Sequence, residues 1–228
     1  MHEIDLKSGL LEPNSELAKE NRDVLAMCGT YAVNLMSGPG AGKTSLLERL
    51  VPALARHLRV AVIEGDIVGS ADAERIERLG VPVQQINTGG ACHLDARMVH
   101  HAIHHVVRDG IDLLLIENVG NLVCPAEFDL GEDDAVMLLS VAEGHDKPKK
   151  YPLMFRRADL IVVSKVDLLG FTNFDYNEAV AAARDVHPGV DILPVSCRTG
   201  EGVARAVEWI ERRVRAKTAG HHHVRAAV

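Results

Sequence analysis

The sequence predicts an α/β fold in three layers, a mostly parallel sheet with helices on both faces. Two observations predict it. Short apolar runs of strand length alternate along the chain with longer segments whose apolar residues recur at helical spacing. A chain of 228 residues that is 47% hydrophobic can also bury one sizeable core without disulfide staples. The first strand is read over Tyr31–Ser37, which enters a Gly-rich turn, and the helix after it, over residues 44–57, carries Leu46, Leu47, Leu50 and Leu54 on one stripe. Further strands are expected over 59–64, 81–86, 112–117, 135–141, 160–164 and 190–195. Helices are expected over 71–79, 95–108 and 175–186, with a last one from about 202 that places Val203, Ala206, Val207, Ile210 and Val214 on one face. Residues 1–28 read as a loose arm followed by a leading helix over 13–27, residues 29–217 as the main domain, and the His-containing segment 218–228 as a flexible tail.

Composition limits the function classes. With 25 Lys plus Arg against 32 Asp plus Glu, the net charge of -7 argues against a nucleic-acid partner, because phosphate contacts need concentrated basic residues. No apolar run reaches membrane-spanning length and no leader is evident, so no membrane partner and a cytoplasmic location are expected. Four Cys, at positions 28, 92, 124 and 197, then read as free or metal-bound thiols rather than a disulfide framework. The 12 His are an unusual number.

The turn after the first strand carries the most specific motif. Ser37-Gly38-Pro39-Gly40-Ala41-Gly42-Lys43-Thr44-Ser45 fits the phosphate-binding loop, with Ser37 where the first Gly usually stands. A strand before it and a helix after it are the context the motif needs, and they define the fold as that of a P-loop NTPase. Gly40 and Gly42 let backbone N–H groups close around phosphate oxygens at the positive end of the helix. Lys43 is placed to neutralise the β- and γ-phosphates, and the Thr44 hydroxyl to ligate Mg²⁺.

The base is read from a second motif. Ser164-Lys165-Val166-Asp167 resembles the guanine signature Asn-Lys-x-Asp, with Ser164 in place of Asn. A carboxylate at Asp167 accepts from N1–H and the 2-amino group of guanine, a pair adenine does not offer, and the Lys165 stem can lie along the ring. Ser196-Cys197-Arg198 follows in the order expected for the loop that contacts guanine O6. GTP and GDP are therefore the expected nucleotides. Of the carboxylates at strand ends, Asp66 is assigned to the Mg²⁺ shell, and Glu117 with Gly120 to the γ-phosphate and the attacking water. Asp72 reads as a helix N-terminal charge. No Gln is placed to orient water, so slow unaided hydrolysis is expected.

Cys92-His93 precedes the helix expected from residue 95, and Cys124-Pro125 follows the next strand, so two thiols and an imidazole can converge at one edge of the sheet. The adjoining helix N-terminus would favour the Cys92 thiolate. Three ligands leave a tetrahedral ion one short, which water or a twofold-related subunit can supply. Spacing alone leaves an alternative of equal weight, in which Cys124 is a small buried apolar residue and Cys92 a loop residue.

Three stretches carry a resemblance that bears on this choice. Thr88-Gly89-Gly90-Ala91-Cys92-His93-Leu94-Asp95-Ala96, the run Glu117-Asn118-Val119-Gly120-Asn121-Leu122-Val123-Cys124-Pro125, and Asp146-Lys147-Pro148-Lys149-Lys150-Tyr151-Pro152 resemble the HypB family, GTPases of hydrogenase nickel incorporation. With both nucleotide motifs the likeness runs from about residue 13 to 202, whereas the related urease accessory GTPases carry a Cys-Pro-His order that is absent here. The resemblance implies a GTP-hydrolysing metallochaperone that dimerises when GTP is bound. Its implied ligands for Ni²⁺ or Zn²⁺ are Cys92, His93 and Cys124, and its partners are hydrogenase maturation proteins and the hydrogenase large subunit. It also implies that Lys147 and Lys150, in a basic segment with Lys149, can act on the nucleotide of the dimer partner. Two alternatives use the same residues: a GTP-gated metal storage or sensing module with incidental hydrolysis, and a GTPase chaperone for urease or a cobalamin enzyme. The chain lacks the N-terminal Cys-rich nickel motif of many bacterial members, its first Cys being Cys28. His100/His104 and His101/His105 form i, i+4 pairs on the helix after the metal loop and read first as a solvated face, while His221-His222-His223 reads as a weak nickel relay or an appended segment.

Overall fold

The structure, a computed structural model, describes residues 8–67, 69, 71–107 and 110–225. Its centre is a seven-stranded sheet made of β1 (Tyr31–Ser37), β2 (Val60–Asp66), β3 (Val83–Asn87), β4 (Leu113–Glu117), β5 (Asp134–Ser140), β6 (Leu160–Ser164) and β7 (Asp191–Val195). The strands lie in the order β3-β2-β4-β1-β5-β6-β7 and every neighbouring pair is parallel. A parallel sheet needs helical crossovers and has both faces covered, which is why its strands are near-continuous apolar runs. All seven residues of β1 and of β5 are buried.

Alternate strand residues face opposite layers, as the period of two requires. Val33, Leu35, Val62, Leu115 and Leu138 pack with α2 (Lys43–Leu54) and α8 (Val203–Arg225). On the other face Ala32, Ile63, Leu114 and Ile116 meet α1 (Ser8–Cys28) and α4 (Ala96–Val106). Met137, Leu139, Ile161 and Val163 meet α6 (Pro152–Arg157) and α7 (Tyr176–Val186) on that same face. The remaining helices are α3 (Ala71–Glu77) and α5 (Lys147–Lys150).

Every strand expected from the sequence is present, with ends displaced by two residues or fewer. The termini differ more. The leading helix begins at Ser8 and takes Pro13 into its interior, where a start was expected. It is held down by polar side chains: the Asn14 amide donates to the Asp129 carbonyl at 2.8 Å and accepts from the Ala96 N–H at 2.8 Å. The last helix runs on to Arg225, so helix reaches into the segment 218–228 that was read as a flexible tail. Lys217 Nζ reaches the Thr30 carbonyl at 2.7 Å and the Asp133 carboxylate at 2.6 Å, which ties that turn to the sheet. The side chains of residues 221–223 lie outside the described ones. Among the described residues, no helix is long and apolar enough to cross a membrane.

Candidate functional site

The carboxyl ends of β1, β2 and β4 lie side by side, and the loops that leave them build the site. The phosphate loop leaves β1 and runs into α2, whose N-cap, Gly42, sits at φ 103° while Gly40 sits at φ 71°. Only glycine takes such angles at little cost, and no side chain caps the helix, so its first N–H groups face the loop. Lys43 is buried, and its Nζ donates to Ser37 Oγ at 3.2 Å while Ser37 Oγ donates to the Gly38 carbonyl at 2.6 Å. The Ser that replaces the first Gly of the motif thus holds the loop lysine. Burial pushes the Lys43 ammonium down, opposed by Glu117, Asp72, Glu143 and Glu64.

Beside Gly42 opens a cleft of about 560 Å³, lined by Ala41, Ser45, Ser164, Lys165, Asp167, Phe171, Cys197 and Arg198 among others. The guanine motif is stitched to the phosphate loop at two points. Ser164 Oγ donates to the Ala41 carbonyl at 2.7 Å, and Lys165 Nζ to the Gly40 carbonyl at 2.6 Å. The Ser164 hydroxyl is therefore spent on the loop, which gives the Ser-for-Asn replacement a structural use. Lys165 has φ 61°, the one non-glycine positive φ among the described residues, a strained conformation of the kind that clusters at ligand sites. Asp167 accepts from Ser196 Oγ at 2.6 Å and Arg198 Nε at 2.9 Å. Those two donors, the Ser196 hydroxyl foremost, hold its carboxyl below the usual range. Arg198, from the loop expected to meet the base, flanks the cleft, and so does Phe171, which the sequence did not single out; Phe171, 85% exposed, is the apolar residue with least burial reason to be there.

The carboxylates divide differently from the sequence reading. Thr44 Oγ1 donates to Glu117 Oε1 at 2.8 Å, so Glu117 stands beside the hydroxyl assigned to Mg²⁺. Asp66, the other assigned carboxylate, turns onto its own chain, where Oδ1 accepts from the Ile67 N–H at 2.6 Å. Asp72 pairs with Arg75 at 2.9 Å near the start of α3, the helix-end role expected of it. Two further acids were not anticipated. Glu64 lies opposite Glu117 in the β2–β4 register, and the Oε2 atoms of both are buried with no hydrogen-bond partner among the described residues. Burial raises Glu64 to about 8, with Glu117 adding to the rise, and burial raises Glu117 to about 7 against the pull of Lys43. Unpartnered buried oxygens beside a threonine hydroxyl fit a divalent cation. Glu143 packs against Gly38 and accepts from the Ser140 N–H at 3.0 Å. A charge inside the otherwise apolar run of β2 was the available signal for Glu64; Glu143 lies in a loop with no such signal. Gly120 meets the phosphate loop so closely that a Cβ there would lie 2.8 Å from Pro39 Cα.

Cys92, His93 and Cys124 come together, with one candidate ligand atom from each within 4.8 Å of the others. Cys92 Sγ lies 3.1 Å from Cys124 Sγ and 3.8 Å from His93 Nδ1. Ligands about 2.0–2.3 Å from one tetrahedral ion stand roughly 3.5 Å apart, so small movements would place all three on an ion. The Cys92 thiol, then burial, raises Cys124, whereas burial lowers His93 and favours its neutral, ligating form. The His93 ring is further fixed against Phe128, with ring centroids 4.0 Å apart. The adjoining helix does not serve Cys92 as its sequence position suggested. The α4 N-terminus begins at Ala96 and is capped by the Asp95 carboxylate, which accepts from the Met98 N–H.

The basic segment forms α5, which the sequence did not reveal as a helix. Lys150 pairs with Asp146, Lys149 with Glu178 at 3.4 Å, and Lys147 Nζ lies 5.6 Å from the Tyr151 ring centre. Lys147 and Lys150 are not among the residues lining the cleft of their own chain.

Comparison with known proteins follows the same lines. Residues 32–194 match the CobW/HypB/UreG nucleotide-binding domain family. The hydrogenase maturation factor HypB of Azotobacter vinelandii is 49% identical over 209 residues, which cover 92% of this chain and 69% of that protein. The crystal structure of the HypB of Archaeoglobus fulgidus is 40% identical with a TM-score of 0.84, covering 89% of this chain and 99% of that one. That of HypB from Helicobacter pylori, solved in complex with nickel, is 35% identical with a TM-score of 0.84, covering 90% and 97%.

Proposed function

The chain belongs to the HypB family of hydrogenase maturation factors, GTPases built on the CobW/HypB/UreG nucleotide-binding domain, and from that premise we propose that it carries nickel at Cys92, His93 and Cys124 under the control of GTP. One observation carries the proposal: the three potential ligands converge at the edge of the sheet that also holds the phosphate loop. The relative from Helicobacter pylori that was solved with nickel supports the choice of metal. Two sulfurs and one imidazole suit Ni²⁺ and Zn²⁺ alike, and a fourth ligand from water or a twofold-related chain would complete either ion.

In this reading the N–H groups around Gly38, Gly40, Ala41, Gly42 and Ser45 cradle the phosphates of GTP and Lys43 neutralises them. Asp167 selects guanine, with Lys165 along the ring and Ser196 and Cys197 closing its edge. Mg²⁺, held by Thr44 with Glu117 and with Asp66 as an outer carboxylate, would offset the charge on the phosphates. Glu117 and Gly120 lie on the side from which water would approach. Burial keeps water scarce around Lys43 and Glu117, so each charge acts there in a low dielectric. GTP would join two chains, bringing Lys147 and Lys150 of one towards the nucleotide of the other, and the recipients of nickel would be hydrogenase maturation proteins and the hydrogenase large subunit.

The test is nickel affinity with a non-hydrolysable GTP analogue present, measured for the parent and for a Cys92→Ala/Cys124→Ala protein. The double variant is expected to lose at least about 100-fold, since two of three ligands are gone. Equal affinities would end the proposal.

A further inference from the structure

We propose a second metal site, on the outer face of α4, in which His100 and His104 bind a late divalent transition-metal cation through their Nε2 atoms. The two residues are one helical turn apart, and their Nε2 atoms face each other at 3.3 Å, with ring centroids 4.7 Å apart. That spacing is close to the separation of two imidazole ligands on one ion, about 3 Å for metal–nitrogen bonds of about 2.0–2.1 Å. Two His at i, i+4 on one helix are also the protein half of familiar zinc sites.

Spacing alone would leave a solvated helix face. What sets this pair apart is a buried residue that fixes one of the rings. Asn21, fully buried on α1, donates both its amide hydrogens, to the Ala96 and Leu130 carbonyls at 2.9 Å each. Its Oδ1 is therefore the atom that faces His100 Nδ1, at 2.8 Å. A carbonyl oxygen only accepts, so His100 must carry its proton on Nδ1, and in the neutral ring Nε2 then presents its lone pair outward. Metal-binding histidines are oriented by such an acceptor behind the ring. Without metal, His104 can donate an Nε2–H to that lone pair; with metal, its proton sits on Nδ1 and both lone pairs point at the ion. His101 lies on the same helix with its ring 6.2 Å from that of His100 and at a steep angle, so it does not share the site. Water would fill the remaining positions, making a weaker and faster-exchanging site than Cys92/His93/Cys124. Two neutral imidazoles favour Ni²⁺, Cu²⁺ or Zn²⁺ over Mg²⁺ or Ca²⁺.

The experiment uses the full chain with Cys92→Ala/Cys124→Ala, titrated with Ni²⁺ alone in competition with a coloured chelator. The background protein is expected to bind nickel, and His104→Ala in that background to weaken the binding about 10-fold or more. His101→Ala/His105→Ala in the same background should leave it unchanged. His104 is exposed, so its removal does not threaten the fold, and a matching melting temperature would verify this. A background protein that binds no nickel, or a His104→Ala protein that binds it as the background does, would overturn the proposal. Both results are independent of the thiolate site, which the background lacks.

Discussion

At the scale of single residues, the nucleotide site is dominated by two buried acids in register, Glu64 and Glu117, each with an oxygen that no group among the described residues satisfies. Glu64 is raised by burial to about 8, against an ordinary value of 4.5. A carboxyl that keeps its proton in the folded chain and loses it in the unfolded one makes stability fall as pH rises from about 4.5 to about 8. Glu64→Gln removes the ionisation while keeping the shape. In metal-free, nucleotide-free protein it should therefore be more stable than the parent at pH 8, by roughly 1–3 kcal/mol, with the gap closing towards pH 4.5. Urea melts at the two ends of that range would check it, and a gap independent of pH would refute the assignment. Asp167 makes a separate prediction. Its ionised carboxyl is held by Ser196 and Arg198, and in the proposed reading it accepts from the 2-amino group that distinguishes guanine from hypoxanthine. Asp167→Asn should weaken GTP binding by about tenfold or more and bring the dissociation constants of GTP and ITP towards each other. A preserved preference for GTP would move base selection elsewhere.

Among the elements, β4 and the turn after it matter most, because they touch the phosphate loop directly. A Cβ on Gly120 would lie 2.8 Å from Pro39 Cα and 3.1 Å from Pro39 N, and both are backbone atoms that cannot swing aside. Gly120→Ala should thus push the turn off the phosphate loop, costing about 1–3 kcal/mol and weakening GTP binding by about tenfold or more, readable by titration with a fluorescent analogue. The same elements show what could be read from the sequence. The seven strands were legible because each is an apolar run in a chain of alternating pattern, and the phosphate loop because its residues are dictated by backbone chemistry. The four-residue α5 and six-residue α6 were not, since each is too short to repeat a helical stripe and each carries a proline near its start. The helices α1 and α8 are tied to the rest of the chain by tertiary bonds inside them, from Asn14 to the loop at Asp129 and from Lys217 to Asp133, which leave no local signature. Cys92 and Cys124 could be placed on one edge from strand order, but their 3.1 Å approach comes from how the two loops fold back, so spacing left convergence level with its alternative and the resemblance decided between them.

For the whole molecule the question is whether nucleotide and metal sites can influence each other, and the structure offers a physical link. Asn118 directly follows β4, and its backbone N–H continues the pairing with β1 by donating to the Leu35 carbonyl at 3.0 Å. Its side-chain oxygen accepts from the Leu94 N–H at 3.0 Å and from the Val119 N–H at 2.9 Å, and its amide donates to Asn34 of β1 at 3.3 Å. Leu94 adjoins His93 and is itself fully buried against Gly65, between Glu64 and Asp66. One buried side chain therefore joins the strand that ends in the phosphate loop, the strand that ends in Glu117, and the loop that carries Cys92 and His93. A shift of the β4 end when GTP binds would reach the metal ligands through these bonds, and by linkage nickel would alter GTP affinity by the same factor. Asn118→Ala should cost about 1–3 kcal/mol of stability, because the Leu94 N–H is left buried without an acceptor. Its sharper effect should be on coupling. The ratio of nickel affinities with and without a GTP analogue should move towards one, while nickel binding by the nucleotide-free protein persists. Lys43→Ala should bring the ratio to one by a different route, abolishing nucleotide binding itself. A ratio in the Asn118→Ala protein equal to that of the parent would show that coupling does not pass through this residue, and would leave the proposed GTP-driven pairing of two chains as the route to test next.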